Sequence, residues 1–294
     1  MRGLFAGMAN IDFTYVVEEI PPRNAKIAVG NPLLTTGGPA ANAAVTFAFL
    51  GGKAELATVL GQHPLAAVMH EDLRAAGVEV RDVAPERQTA PPVSAVLVIR
   101  GTGERTVIAS GDKSFPSPQF ACDPRWFQDL TIVLVDGLYM PVCVAVAAGA
   151  HARGIPVVLD GGSWKPGLPD LLPHVDLAVC SQDFRPPHCH DAQEVFDFLQ
   201  AQGIARAAIT RGEQPVIYAD GGGRGEIAVP QVRAVDTTGA GDIFHGAFCW
   251  YAAQGKNFRD ALAAAARVAA FSCQYLGARS WREYYSSQES GVRS

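Results

Sequence analysis

The chain has 294 residues, 48% of them apolar and 18% charged, and a formal net charge of -5. This is enough apolar chain to fold around a large core, and it excludes a disordered tract, a basic nucleic-acid binder and a chain crossing a membrane, which needs roughly 20 consecutive apolar residues. Six dispersed cysteines without a CxxC pair, and an N-terminus that turns polar at Asn10-Ile11-Asp12, predict a reducing cytoplasm and no signal peptide.

In chain order, residues 12–17 (DFTYVV) and 26–29 read as a first pair of strands. Residues 93–100 (VSAVLVIR) and 105–109 (RTVIA) read as a second pair, joined by a hairpin turn at Gly101-Thr102-Gly103-Glu104. The two-residue period puts Phe13, Tyr15 and Val17 on one face. Further on, β-branched runs alternate with Ala-rich ones: TIVLVD (131–136), a helix at 141–152, PVVLD (156–160), VDLAVC (175–180), a helix at 191–202 and ARAAIT (205–210). The alternation predicts an α/β fold with a mostly parallel sheet covered on both faces. Hairpins do not belong in a parallel run. The early pairs, about 12–36 and 93–110, are therefore expected to form a small inserted β-sheet, a lid on one domain spanning 1–294. Two helices close the chain, at 241–253 and 258–276, with Asn257 capping the second and Gly277 stopping it. The polar tail after Arg282 is expected to fray.

The most informative segment is VDTTGAGDIFHGAF, residues 235–248. Gly239, Ala240 and Gly241 lack bulky side chains, so their N–H groups can converge at the positive end of the next helix. That is a concave site for an anion such as a transferring phosphoryl group. Asp242 follows in the first helical turn. It reads either as a carboxylate that complements the helix dipole or as a base for a hydroxyl attacking a γ-phosphate. Asp136 and Asp160 each end a strand, where the ligands of parallel sheets lie. His188-Cys189-His190 has no second ligand pair at zinc spacing, and the glycines at 223 and 225 fit a hairpin turn better than a dinucleotide loop. No Walker A sequence is present.

DTTGAGDIFHGAF resembles the C-terminal signature of the ribokinase-like (PfkB) carbohydrate kinases. GGPAANAAVTFAFLGG (37–52) and GMANID (7–12) resemble the two N-terminal elements of the same family, in family order. The resemblance implies a three-layer ribokinase-like fold with a β-sheet lid and an ATP-dependent transfer of phosphate to a sugar hydroxyl. Mg²⁺ is implied as cofactor, with K⁺ as a further candidate. Carried over by position, Asp242 resembles the catalytic base, and Gly239, Ala240 and Gly241 the anion hole. Asp12, Gly38 and Asn42 resemble residues that bind acceptor hydroxyls. Asp136-Gly137 is similar to the Glu-Gly of some ketose kinases, which adds Asp136 to the substrate side. Thr210 and Gly212 resemble a T-x-G element beside the nucleotide, Ala270 and Cys273 fall in its adenine slot, and Asp236 and Thr238 resemble positions that hold a monovalent cation. One element departs: Ser181 and Phe184 stand where many members have Asn-x-x-Glu. This puts Ser181 on the nucleotide side and leaves Mg²⁺ mostly to phosphates and water. The wording is closest to ketose kinases such as ketohexokinase and sulfofructose kinase, so a ketose or sugar derivative is the expected acceptor. Ribose, a nucleoside, or an inactive sugar- or nucleotide-binding regulator are the alternatives. The resemblance also suggests a homodimer through the lid, and no nucleic-acid or membrane partner is expected.

Overall fold

The computed structural model describes residues 1–111 and 119–285. β1 (Arg2–Ala6), β2 (Asn10–Val17) and β3 (Leu33–Gly37) lead into α1 (Pro39–Phe49). β4 (Lys53–Thr58), α2 (Pro64–Ala75), β5 (Val78–Asp82), β6 (Val93–Ile99) and β7 (Arg105–Ser110) follow. Then come β8 (Ile132–Val135), α3 (Met140–His151), β9 (Val157–Gly161), the single turn α4 (Leu168–Leu171), β10 (Leu177–Ser181) and α5 (Ala192–Ala201). β11 (Arg206–Arg211), β12 (Gln214–Asp220), β13 (Arg224–Ile227), α6 (Ala240–Ala253) and α7 (Phe258–Ser272) complete the described chain.

Nine strands form one sheet in the order β13-β12-β11-β10-β9-β8-β1-β4-β5. It is parallel from β11 to β5; β12 alone runs against it, and β13, antiparallel to β12, returns to the common direction. The apolar runs IVLV and VVLDG are buried along their whole length, as expected for strands with helices on both sides. One core lies on the side of α1, α6 and α7, around Phe47, Phe248 and Leu262. The other lies on the side of α3 and α5, around Val146, Phe184 and Leu199. The sheet is built outward from β1, toward β4 on one side and β8 on the other. This reversal opens a crevice beyond the carboxyl ends of β1, β8 and β9, the usual ligand position in such sheets.

The strands expected to form a lid make a separate sheet of order β3-β2-β6-β7. The hairpin at 101–104 forms as the sequence predicts, with Gly101 and Gly103 at positive φ. The partner of β2 differs from expectation. Residues 26–29 are exposed and outside any strand, and it is Leu33–Gly37 that pairs antiparallel with β2. Leu33–Gly37 runs straight into α1, which returns it to the start of β2; the more distant 26–29 has no such tether. Register places Asn10, Asp12, Thr14 and Ser94 on one face of the lid and Phe13, Leu34, Ala95 and Ile108 on the other.

The last helix also differs. Asn257 caps α7 by accepting the Asp260 N–H at 2.9 Å, but the helix ends at Ser272. The Cys273 carbonyl instead accepts the N–H groups of Val235 and Asp236, at 2.8 and 3.2 Å. The chain then docks through Trp281, which is fully buried and meets Phe49 edge-on at 5.0 Å. The expected fraying beyond Arg282 does not extend to Tyr285, which packs on Trp281; residues 286–294 lie outside the described residues. All six cysteines are free. No described helix is long and apolar enough to cross a membrane.

Candidate active site

Residues 235–239 turn into α6 through Gly239, whose φ of 72° is left-handed. An added Cβ would come within 3.0 Å of Ala278 Cβ, so a side chain is excluded on both grounds. The Ala240 N–H reaches Thr237 O at 3.3 Å, while among the described residues no acceptor meets the N–H groups of Gly241 or Asp242. Two unbonded donors at a helix N-terminus suit an anion. The loop is braced from below by Asp236, whose carboxylate accepts the N–H groups of Thr238 and Gly277, each at 2.8 Å. From above, Arg105 of the lid donates to Thr237 Oγ1. Thr238 Oγ1 is buried beside this brace without a partner.

Asp242 is partly open to the crevice and accepts a hydrogen bond from Asn42 Nδ2 at 2.8 Å. Asn42 lies in the first turn of α1, which begins after Gly38 at a φ of 99°. A Cβ on Gly38 would approach Met8 O to 2.5 Å, so only glycine lets α1 start this close to the end of β1. Two distant motifs thus meet at one carboxylate. Burial first, and the charge of Asp160 second, push that carboxyl up to about 7, against the Asn42 bond and the His245 charge. A carboxylate poised there can take a proton at neutral pH.

On the small-sheet side of the crevice, Asp12 is raised by burial, opposed by bonds from Asn10 and Ser94 and by the charge of Arg279. Asn10 Nδ2 donates to both Asp12 and Ser94 Oγ. Gly37 gives Asp12 its room, since a Cβ there would lie 1.8 Å from Asp12 Oδ2. Arg279 is buried, donates to Thr36 O and pairs with Asp72 at 3.3 Å. Sequence reasoning did not single out Asn10, Ser94 or Arg279. Asn10 sits inside the GMANID element and could have been found; Ser94 and Arg279 arrive from distant segments and carry no local signal.

Asp136 lies deeper than a strand-end position suggested. Its carboxylate accepts N–H groups of Met8 at 2.8 Å, Leu138 at 2.9 Å and Ala40 at 3.4 Å. Burial pushes it up to about 6. It ties the ends of β1 and β8 to the start of α1 and so fixes the crevice floor.

Beyond the glycine-rich loop lies a cavity of about 330 Å³ lined by Thr210, Gly212, Ala240, Gly241, Ala270 and Cys273. Four residues predicted for the nucleotide therefore share one space with the anion loop. Ser181 does not line it: its Oγ donates to Gly162 O at 2.7 Å and accepts the Asp183 N–H at 3.0 Å. Phe184 is fully buried and stacks edge-on with Trp164 at 5.8 Å. Among the described residues, no three His, Cys, Asp or Glu side chains are disposed to hold a metal ion.

The model of the pfkB family carbohydrate kinases matches residues 4–283. The chain belongs to this family. PfkB carbohydrate kinases are ATP-dependent phosphotransferases that act on a hydroxyl group. Ribokinase of Bacillus subtilis is 27% identical over 283 residues, 93% of either chain. A crystal structure of a candidate ribokinase from Agrobacterium tumefaciens is 26% identical, with a TM-score of 0.86 over 100% of this chain and 99% of that one. Arabidopsis thaliana ribokinase complexed with ribose and ATP is 22% identical, with a TM-score of 0.75 over 94% and 93%. In this pfkB kinase the cavity and the unbonded N–H groups beside it fit ATP and its phosphates. With Phe184 in the hydrophobic core, Mg²⁺ would arrive on those phosphates and their waters rather than on a cluster of carboxylates.

Proposed function

We propose that this pfkB kinase transfers the γ-phosphate of ATP to a hydroxyl of a ketose or ketose derivative, with Asp242 as the base. What carries the reading is the 2.8 Å bond from Asn42 to Asp242, which sets an acceptor-side amide against a carboxylate beside unbonded N–H donors. The sugar enters between lid and body, where Asp12, Gly38 and Asn42 offer donors and acceptors to its hydroxyls above the floor fixed by Asp136. Asp242 takes the hydroxyl proton while Gly239, Ala240 and Gly241 receive the charge of the moving phosphoryl group. Thr210, Gly212, Ala270 and Cys273 seat the nucleotide, and Ser181 braces the adjoining loop. Mg²⁺ on the phosphates supplies neutralising charge. The closed lid keeps water from competing with the sugar.

Asp236 and the unpartnered Thr238 hydroxyl are oxygen ligands suited to a monovalent cation such as K⁺ under the anion loop. Six free cysteines fit a cytoplasmic setting. A second acceptor reading, ribose, is favoured by the relatives named ribokinase. An ADP-release screen of ketoses, ketose derivatives, ribose and nucleosides separates the readings. The highest kcat/KM is expected on a ketose, with slower turnover when choline replaces K⁺. A preference for ribose moves the assignment to the second reading. Binding without ADP release from any sugar would leave only a regulatory protein.

The outer lid face carries an apolar row of Leu34, Phe13, Ala95 and Ile108, with Leu34 45% and Ile108 62% exposed. A second copy of the lid is the proposed cover for this row. Sedimentation should find a dimer that Ile108→Glu converts to monomer; a monomeric wild type removes this assembly.

A further inference from the structure

His245 lies one turn beyond Asp242 on α6, buried at 4% exposure. Its Nδ1 is 2.7 Å from Gly241 O, and its Nε2 is 2.9 Å from Val179 O on β10. A carbonyl oxygen can only accept, so each contact needs an N–H on the ring. A neutral imidazole has one N–H and would press a bare lone pair against the other carbonyl in a dry interior. Only the imidazolium meets both. A counter-charge is in place: Asp160 Oδ2, buried at the end of β9, lies 3.6 Å from Nδ1.

We propose that His245 is a positioning residue, an imidazolium clamped between two main-chain carbonyls whose fixed positive charge keeps Asp242 ionised to receive the acceptor's proton. The proposal rests on the reading of Asp242 as base. Around Asp242 the neighbouring charges are mostly negative. Asp160 on β9 and Asp12 on the lid both oppose its ionisation, and only Asn42 and His245 favour it. Beneath the crevice, Asp136 adds another carboxylate, and Lys165 in the loop after β9 acts on Asp136. The thiols nearest in the fold, Cys180 on β10 and Cys249 on α6, are pushed up by burial first and then by Asp160, and so stay neutral. Lys165 is half-buried on its loop, where its Nζ donates to Ser163 O at 3.2 Å, whereas His245 is held on Asp242's own helix by both ring nitrogens.

The test is kcat/KM against pH for the wild type and for His245→Asn, which keeps one donor and loses the charge. The wild-type acid limb is expected near 7, where the Asp242 carboxyl titrates. In the variant the limb should move alkaline by about one unit, roughly a tenfold loss at pH 7, with the alkaline plateau within a few-fold of wild type. A lowered plateau with an unmoved limb means a merely structural histidine and overturns the proposal, as does a limb that stays or moves acid. Should His245→Asn fail to fold, ¹⁵N NMR of the wild-type ring decides. Two protonated nitrogens at pH 7 support the imidazolium, and one bare nitrogen there overturns it. Asp242→Asn, run in parallel, keeps the two ideas apart. If that variant still turns over, the base reading fails and this proposal with it. If it is inactive while the His245→Asn limb stays in place, only the histidine proposal fails.

Discussion

Replacing Asp242 with asparagine should lower kcat by about a thousandfold, leave ATP binding near normal, and make the folded protein harder to melt. Asparagine has nearly the same shape, and its carbonyl can still accept the Asn42 bond of 2.8 Å. The anion loop is therefore left standing while the proton acceptor is lost. The stability gain follows from burial. The folded-state carboxyl is raised from 3.8 to about 7, so between those values the folded protein holds a proton that the unfolded chain has released. Stability consequently falls as pH rises through that window, and above pH 7 the folded state carries a desolvated charge in full. Asparagine carries none. The melting difference should be largest at pH 8 and vanish toward pH 4, which scanning calorimetry at the two pH values would show. ADP release and titration with a non-hydrolysable ATP analogue check the rest. Retained turnover removes the base role from Asp242, and loss of ATP binding would mean that the loop itself had collapsed.

What the sequence disclosed, and what it withheld, follows the range of the forces involved. Strands such as TIVLVD and PVVLD are apolar throughout because helices cover both faces, so burial writes them into the local pattern. The GAGD segment is legible for a similar reason: a left-handed Gly239 and a tight helix start restrict which residues can stand there. β3 was misplaced because Lys26-Ile27-Ala28-Val29 has as good a strand pattern as Leu33–Gly37, and only pairing with β2 distinguishes them. The end of α7 was misjudged because the carbonyl that stops it is claimed by N–H groups far earlier in the chain, at Val235 and Asp236. Arg279 and Ser94 reach the surroundings of Asp12 by tertiary contact alone. His245 was in plain view within the Phe244-His245-Gly246 of α6, yet a histidine in an apolar helix reads as core until both its nitrogens are seen to face carbonyls. Asp136 shows the opposite error: its position at a strand end was read correctly, but the main-chain donors that surround it could not be inferred from that position.

Gly246→Ala should destabilise the protein by about 1–3 kcal/mol, although the same change in an exposed helix usually stabilises by up to about 1 kcal/mol. The reversal comes from the contact between α1 and α6. A Cβ on Gly246 would lie 2.3 Å from Ala43 O, 2.7 Å from Thr46 Cβ and 2.9 Å from Ala43 Cα. Two of those atoms are main chain and cannot rotate away, so the helices themselves must separate. Asn42 precedes Ala43 on α1, and Asp242 lies one turn before Gly246 on α6. Any separation there stretches the 2.8 Å bond that joins Asn42 to Asp242, the proposed base. A lowered melting temperature should thus accompany a fall in kcat/KM of about tenfold, because a displacement of an ångström already disturbs a productive geometry. Urea titration and ADP release on the soluble variant measure the two effects. A variant as stable as the wild type and fully active would show that α1 and α6 have room to spare, and the close approach would lose its claim to set the geometry of the base.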